Sequence, residues 1–292
     1  MIKKALFLAL CVAPLSGTLA QSSIQPCGGG SNGTLWAWAW AGANGEYVTT
    51  QMGNFGKPII RQFQDLSGNG NHFFNNEGGR PSQPGYQVGL SLGSWSTSLP
   101  VIGLSTYADG TRIYGQLMFQ NASMDANAFY LAAAVANTRS AGNRWLFGVD
   151  SNDYVKLEQG QNFIRVKIGG QGEIKLTGNG SLDSGPVLVE VWRDAASNLR
   201  GYINGTDKTL GNPQSTATFG MSGVGGPYDR GSDPGPADSA WDDHAFEYIA
   251  CKGVTSSAQR AAVREYMRSK WSLFGATTQT PTPLPPNNLS AQ

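Results

Sequence analysis

The chain has few charged residues, and this scarcity excludes several classes of protein before any motif is considered. Of its 292 residues, 21 are Lys or Arg and 20 are Asp or Glu, so the charged fraction is 14% and the formal net charge is +1. Because no basic run is present, nucleic acid and acidic membrane surfaces are poor partners. No later stretch is apolar enough for a membrane-spanning helix, so we expect no membrane insertion.

The first 20 residues have the pattern of a secretory signal peptide. Lys3 and Lys4 give a positive start, residues 5–13 form a short apolar segment, and small residues precede Gln21. We therefore expect a bacterial protein that is periplasmic or secreted after cleavage. The remaining chain is predicted to comprise a Gly/Ser-rich leader at 21–34, one domain at 35–275 and a flexible Thr/Pro-rich tail at 276–292.

Cysteine is equally rare once the signal peptide is removed, because only Cys27 and Cys251 remain. A cysteine pair in an exported protein is usually oxidised, so we predict a disulfide that joins the leader to a late strand. Two separate buried thiols are the alternative. The pair has no C-x-x-C spacing and cannot form a zinc site alone.

Glycine, by contrast, is abundant at 39 residues and is scattered among aromatic and β-branched residues. This composition predicts many short strands joined by tight turns, and the length fits one all-β domain. Alternation or apolar runs predict strands at 58–63, 128–135, 145–149, 162–168, 173–176, 186–193, 199–203 and 245–250. In the clearest of these, 186–193, Leu188, Glu190 and Trp192 share one face.

Three tryptophans alternate with alanines between Leu35 and Ala41. A period of two places Trp36, Trp38 and Trp40 on one strand face. That face is either an aromatic platform for a sugar chain or part of the core. Because the opposite face is all alanine, we favour the core.

One helix is predicted, from about Ser256 to Trp271. Ser256 can cap it, and Gln259 completes a capping box. Gly275 is a suitable stop. The helical period predicts a buried stripe of Val263, Tyr266, Met267 and Trp271, with Arg260, Arg264 and Arg268 outward.

Two distant segments carry a family resemblance. The first is Asp65-Leu-Ser-Gly-Asn-Gly-Asn-His72, and the second runs from Phe246-Glu-Tyr-Ile-Ala250 through the helix to Lys270-Trp271. In this order they resemble the concanavalin A-like lectin/glucanase superfamily, in its laminin-G-like bacterial branch. The resemblance implies an all-β jelly-roll sandwich of two antiparallel sheets with one C-terminal helix, facing carbohydrate. It places Glu247 at the family's acidic position, and we interpret the Asp65 turn as structural.

The catalytic motifs of this broad fold are absent from the sequence. Glucanases carry E-x-D-x-x-E, and alginate lyases of related fold carry R-x-E-x-R and Q-I-H strands; none occurs here. We therefore assign no catalytic residue and lean against an enzyme. Only His72 and His244 could serve an unfamiliar lyase, and His244 has Asp242 and Asp243 beside it.

Two groups of loop residues are candidate sites. The first is a sugar-binding rim, assigned to Trp95, Tyr228, Trp241 and His244. The second is a calcium site, since five acidic residues lie within fifteen positions and calcium accepts irregular oxygen-rich loops. Its candidate ligands are Asp229, Asp233, Asp238, Asp242 and Asp243. The alternative is a solvated loop in which Asp favours turns.

The predicted function is carbohydrate binding by a secreted, lectin-like sandwich, with calcium as the candidate cofactor. One alternative is a polysaccharide lyase or glycoside hydrolase of jelly-roll fold. Another is a structural or adhesive surface protein.

Overall fold

The computed structural model describes residues 27, 34–42, 45–52, 58–75, 85–103, 117–119, 123–137, 143–148, 152–158, 161–182, 185–225 and 244–274. Within these ranges the chain forms two layers of antiparallel strands and one C-terminal helix. The predicted jelly-roll β-sandwich is therefore confirmed. Among the same residues, no helix is both long and apolar enough to cross a membrane.

The first layer carries the helix on its outer face. In spatial order its strands are β1 (Thr34–Trp40), β19 (His244–Lys252), β9 (Phe129–Asn137), β14 (Gly185–Arg193), β15 (Leu199–Ile203) and β16 (Thr206–Asp207). The predicted Asn204-Gly205 turn joins the last two, and both residues have the positive φ that a tight hairpin requires, 49° and 78°.

The second layer faces the first across the main core. Its strands are, in order, β2 (Val48–Met52), β3 (Pro58–Phe63), β4 (Phe73–Asn75), β7 (Leu117–Phe119), β18 (Gly223–Val224), β10 (Asn143–Gly148), β11 (Tyr154–Glu158), β12 (Phe163–Lys167) and β13 (Ile174–Lys175). A short separate pair contains β8 (Met124–Ala126) and β17 (Phe219–Met221).

A long hairpin connects the two layers at one edge. It contains β5 (Gly85–Leu92) and β6 (Trp95–Gly103). β6 pairs with β19 of the first layer, and β5 pairs with β3 of the second at Ile59. Hydrogen bonding is therefore continuous around this edge, which limits the exposed strand edge there.

The centre of the first layer is buried on both faces, and β9 shows how its sequence allows this. All nine of its residues are buried. Leu131 and Val135 face the main core, while Ala132 and Ala134 face the helix. Small side chains on the helix side let the helix approach the sheet closely, so this strand is an apolar run instead of an alternating one.

The tryptophan strand differs from its prediction at one residue. A bulge between Leu35 and Ala37 shifts the register, so Trp36 packs against the main core with the alanines. Trp38 and Trp40 lie on the other face, in a second core beneath the helix. The prediction that all three indoles share one face is therefore wrong for Trp36, because a β-bulge inserts one residue into the period.

The helix α1 (Ser257–Lys270) begins as predicted. Ser256 accepts from the backbone of Gln259, whose side chain accepts from the Ser256 N–H. Arg264, however, is half-buried and turned toward the sheet, since it makes a double hydrogen bond to the fully buried Glu190 at 2.7 and 2.9 Å. Arg260 lies 4.0 Å from the Trp192 ring centroid. The outward prediction is wrong for both arginines, because the face of β14 beneath them carries a carboxylate and an indole.

The predicted disulfide between Cys27 and Cys251 is present, with a Cα–Cα distance of 5.9 Å. The Cys27 carbonyl also accepts a 2.9 Å hydrogen bond from the side chain of Gln259. Residue 27 is thereby held against both β19 and the first turn of α1. Gly275, the predicted helix stop, lies outside the described residues, and the helix is capped at Trp271.

Candidate functional site

A polar pocket lies on the outer face of the second layer, over β2 and β3. Its volume is about 280 Å³. Seven residues line it: Glu46, Tyr47, Val48, Thr49, Gln62, Gln64 and His72. Six of these seven side chains carry a hydrogen-bonding group.

The β2–β3 ladder places the amide and hydroxyl groups in this pocket. Phe63 points into the main core, so Gln62 and Gln64 on either side of it point outward. Thr49 lies directly opposite Gln62 in the register. The backbone N–H of Gln64 donates to the Tyr47 carbonyl at 2.9 Å, which extends the pairing to the start of β2. Alternation along β3 and the β2–β3 register thus bring three uncharged polar side chains to one surface.

The Asp65 turn places His72 at the other side of the pocket. The Asp65 carboxylate accepts from the backbone N–H groups of Trp38, Ser67 and Asn71 at 2.9–3.0 Å. The Asp65 N–H in turn donates to Nδ1 of His72 at 3.0 Å. Because Nδ1 is an acceptor in this bond, the neutral ring carries its proton on Nε2 and offers it as a donor.

Glu46 and Tyr47 form the third side. Burial, together with the neighbouring Glu46 carboxylate, raises the pKa of Tyr47 above its ordinary value, so the phenol stays a neutral donor and acceptor. The Tyr47 ring meets the edge of Trp40, with centroids 6.0 Å apart. The Glu46 carboxylate lies over Gly42, since a Cβ added there would be 2.4 Å from Oε2.

This arrangement is suited to the recognition of hydroxyl groups. Amides, hydroxyls and imidazole both donate and accept, which matches hydroxyls that do the same. The lining contains one carboxylate, Glu46, whereas most glycosidases place two around the scissile bond. The part of the chain that the structure describes holds no cluster of three or more His, Cys, Asp and Glu residues suited to a metal ion.

Of the predicted site residues, the structure describes Trp95 and His244. The Trp95 ring stacks on Phe246 with centroids 5.1 Å apart, and its N–H donates to the Trp271 carbonyl at 2.8 Å. His244 is the first residue of β19, opposite Gly103 of β6. Neither residue lines the pocket. Outside the described residues are Tyr228, Trp241 and all five calcium candidates, Asp229, Asp233, Asp238, Asp242 and Asp243.

Most of the pocket lining was not predicted from the sequence. His72 belonged to the Asp65 turn and Gln62 to a predicted strand, but β2 was not predicted at all. One signal was available: Gln62 and Gln64 flank Phe63, which is the alternation of a strand with one polar face.

No protein-family model matches the chain, and no curated protein matches it in sequence. Solved structures share its strand arrangement only distantly. A SAP-like pentraxin from Limulus polyphemus is 9% identical, with a TM-score of 0.40, over 56% of this chain and 79% of the pentraxin. Trypanosoma rangeli sialidase in complex with sialic acid is 14% identical, with a TM-score of 0.41, over 79% of this chain.

The ligand-binding domain of botulinum neurotoxin serotype D, in complex with N-acetylneuraminic acid, is 11% identical with a TM-score of 0.37 over 81% of this chain. The chain spans about half of that toxin structure, 52%, and about a third of the sialidase, 32%. Likeness at this level does not extend to ligand or activity. The laminin-G resemblance therefore stays a prediction.

Proposed function

We propose that this protein binds carbohydrate and that the pocket over β2 and β3 is its binding site. The observation that carries the proposal is the lining, in which amide, hydroxyl, phenol and imidazole groups surround a volume of about 280 Å³. That volume is just below the roughly 300–1,000 Å³ found for ligand pockets, which suits a small ligand or one unit of a larger one. Most such pockets are mainly apolar, so a polar lining favours a ligand whose surface is mainly hydroxyl.

The chemistry of single groups supports a sugar over other polar ligands. Gln62 and Gln64 can each pair one hydroxyl with the amide oxygen and another with the NH2 group. Tyr47 adds an aromatic ring to the lining, and such rings pack against the C–H groups of a sugar. The lining residues include no Lys or Arg, which are the usual partners of phosphate.

The remaining sequence predictions extend this proposal. The five-aspartate segment at 229–243 would hold calcium, and Tyr228 and Trp241 would add to a sugar-binding rim. The signal-peptide pattern and the disulfide support export, because disulfides persist in oxidising compartments. Trp95 has packing partners beneath the helix, which makes it the weakest member of the predicted rim.

A glycan array, run with and without a chelator, tests the proposal. We expect saturable binding of a subset of neutral glycans by the wild type, and at least about tenfold weaker binding by Gln62→Ala, since the lost amide leaves ligand hydroxyls unpaired. Gln214→Ala is the matched control, because Gln214 is exposed and does not line the pocket. Equal binding by both variants would reject the pocket as the site.

The same preparation separates binding from cleavage. Incubation with the bound polysaccharide should yield neither new reducing ends nor unsaturated uronates. Either product would instead identify a hydrolase or a lyase. Loss of binding in the chelator would support the calcium site.

A further inference from the structure

Three cations form one row across β11, β12 and β13. The register places Lys156 opposite Arg165 and Arg165 opposite Lys175. Residues opposite each other share a face, and adjacent strands are about 4.8 Å apart, so the row spans roughly 10 Å. The alternate residues, including Val155, Ile164 and Val166, lie in the main core, so the row is on the outer face of the second layer.

Without counter-charges, this row of cations would lower the stability of the folded protein. Like charges directly opposite each other destabilise an antiparallel pair. Glu173 offsets part of the cost, since its carboxylate accepts from Lys156 at 3.1 Å, from Arg165 at 2.5 Å and from the Tyr154 hydroxyl at 2.5 Å. Although burial acts in the opposite direction, these hydrogen bonds lower the pKa of Glu173 below its ordinary value.

We call this surface the cationic face. It comprises six charged residues: Lys156, Arg165, Lys167, Lys175, Glu158 and Glu173. Cations are in excess on it. Four cations against two carboxylates leave a net charge of +2. Among the described residues, Lys167 and Lys175 form no ion pair with a carboxylate, and Lys175 is exposed.

One aromatic ring, that of Phe163, contacts two of these cations. The Lys175 ammonium lies 4.5 Å from the Phe163 ring centroid, and the Arg165 guanidinium lies 4.9 Å from it. Lys175 also donates to the Asn179 side chain. Side chains that are already ordered lose less entropy when a ligand binds, so the face is preorganised for a partner.

We propose that the cationic face binds an anionic polysaccharide that carries carboxylate or sulfate groups at regular intervals. A straight row of cations on a sheet surface matches the repeated charges of an extended chain. Nucleic acid fits less well, because the rings here are covered: Phe163 is 1% exposed and Tyr154 is 6% exposed, so bases cannot stack on them. This second site is separate from the pocket over β2 and β3.

Two variants test the proposal with heparin as the probe: one removes a positive charge from the cationic face, and the other removes a negative charge. Lys175→Gln should weaken heparin binding about two- to fivefold at low salt, as expected for one exposed charge pair. Glu173→Gln should strengthen it by a similar factor, because a competing anion is removed. Lys252→Gln is the matched control, since Lys252 is an exposed lysine on β19 in the first layer. Added salt should reduce binding by all variants.

Three results would overturn the proposal: equal heparin affinity for Lys175→Gln and Lys252→Gln, weaker binding by Glu173→Gln, or duplex DNA bound as tightly as heparin through the same residues. The Gln62→Ala variant shows whether the cationic face and the pocket act independently. It should lose neutral glycans and keep heparin. Failure of the neutral array with intact, Lys175-dependent heparin binding would reject the pocket alone.

Discussion

The Lys270 ammonium lies 3.0 Å from Oε2 of Glu247, and the two side chains are only 6% and 0% exposed. Three further donors meet the same carboxylate: Trp38 Nε1 at 2.6 Å, Tyr266 Oη at 2.9 Å and Trp271 Nε1 at 2.7 Å. One buried ion pair thus joins β19, through Glu247, to the Lys-Trp ending of α1, through Lys270. These two segments carry part of the family resemblance.

Replacing Glu247 by Gln should lower the free energy of unfolding by about 3–5 kcal/mol, because the substitution leaves the Lys270 ammonium buried without a counter-charge. Urea denaturation followed by tryptophan fluorescence measures the change. The double variant Glu247→Gln/Lys270→Met should recover part of the loss, since no charge then remains buried there. A double variant less stable than Glu247→Gln would show that the ammonium is not the source of the cost.

Stability should also depend on pH through Lys270. Burial lowers the pKa of Lys270 from 10.5 to about 8, and the attraction to Glu247 only partly opposes this. Between pH 8 and about 10.5 the unfolded chain therefore binds more protons than the folded one, and the free energy of unfolding rises with pH. Over this whole pH interval, Lys270 would raise the free energy of unfolding by about 3 kcal/mol.

At higher pH the tyrosines reverse this trend. Burial raises the pKa of Tyr130 and of Tyr266, so these phenols ionise only after unfolding, and stability falls above about pH 10. Urea midpoints at unit steps from pH 7 to pH 11 would reveal the maximum. In Lys270→Met the rise above pH 8 should be absent while the fall above pH 10 persists; a rise that survives in this variant would assign it to another group.

The disulfide should supply a large part of the stability. It joins residues 224 positions apart, for which the chain-entropy model gives about 5 kcal/mol. We expect the thermal midpoint of Cys251→Ser to be clearly lower than that of the oxidised wild type. Wild type treated with a reductant should approach the variant, whereas equal midpoints for the oxidised wild type and the variant would contradict the prediction.

The sequence predicted those elements whose pattern is set within one strand or helix. The valine alternation of β14 and the capping box at Ser256 are local signals, and the structure confirms both. The Trp36 bulge was not predicted, because only the pairing of β1 with β19 shows the extra residue. Arg264 was placed outward, since a helical period cannot show that the buried Glu190 lies below it.

The candidate pocket was beyond sequence reasoning for the same reason. Gln62 was recognisable as a polar position on a strand, but Thr49 joins it only through the β2–β3 register. His72, which was considered only as a possible lyase residue, is added by a turn that was interpreted as structural. Sites assembled by strand pairing depend on contacts between residues that are far apart in the chain. A single sequence does not show which of these residues are neighbours.

That turn leads to a final prediction about Asp65, whose two carboxylate oxygens accept four hydrogen bonds. Oδ1 accepts from the N–H groups of Trp38 and Ser67, and Oδ2 accepts from the Ser67 hydroxyl at 2.6 Å and the Asn71 N–H at 2.9 Å. Asp65→Asn would place an NH2 group against two of these donors. We expect a loss of about 2–3 kcal/mol in the free energy of unfolding.

Asp207→Asn is the matched control, because Asp207 is exposed and its carboxylate accepts only from near neighbours on the β15–β16 hairpin, the Thr209 N–H at 2.9 Å and the Tyr202 hydroxyl. This variant should lose less than about 0.5 kcal/mol. The carboxylate holds the turn in which the Asp65 backbone N–H contacts His72, so a loosened turn in Asp65→Asn should also weaken glycan binding at a temperature where the variant remains folded. Unchanged stability would show that the turn does not depend on its carboxylate, and full glycan affinity in a destabilised variant would separate His72 from the binding site.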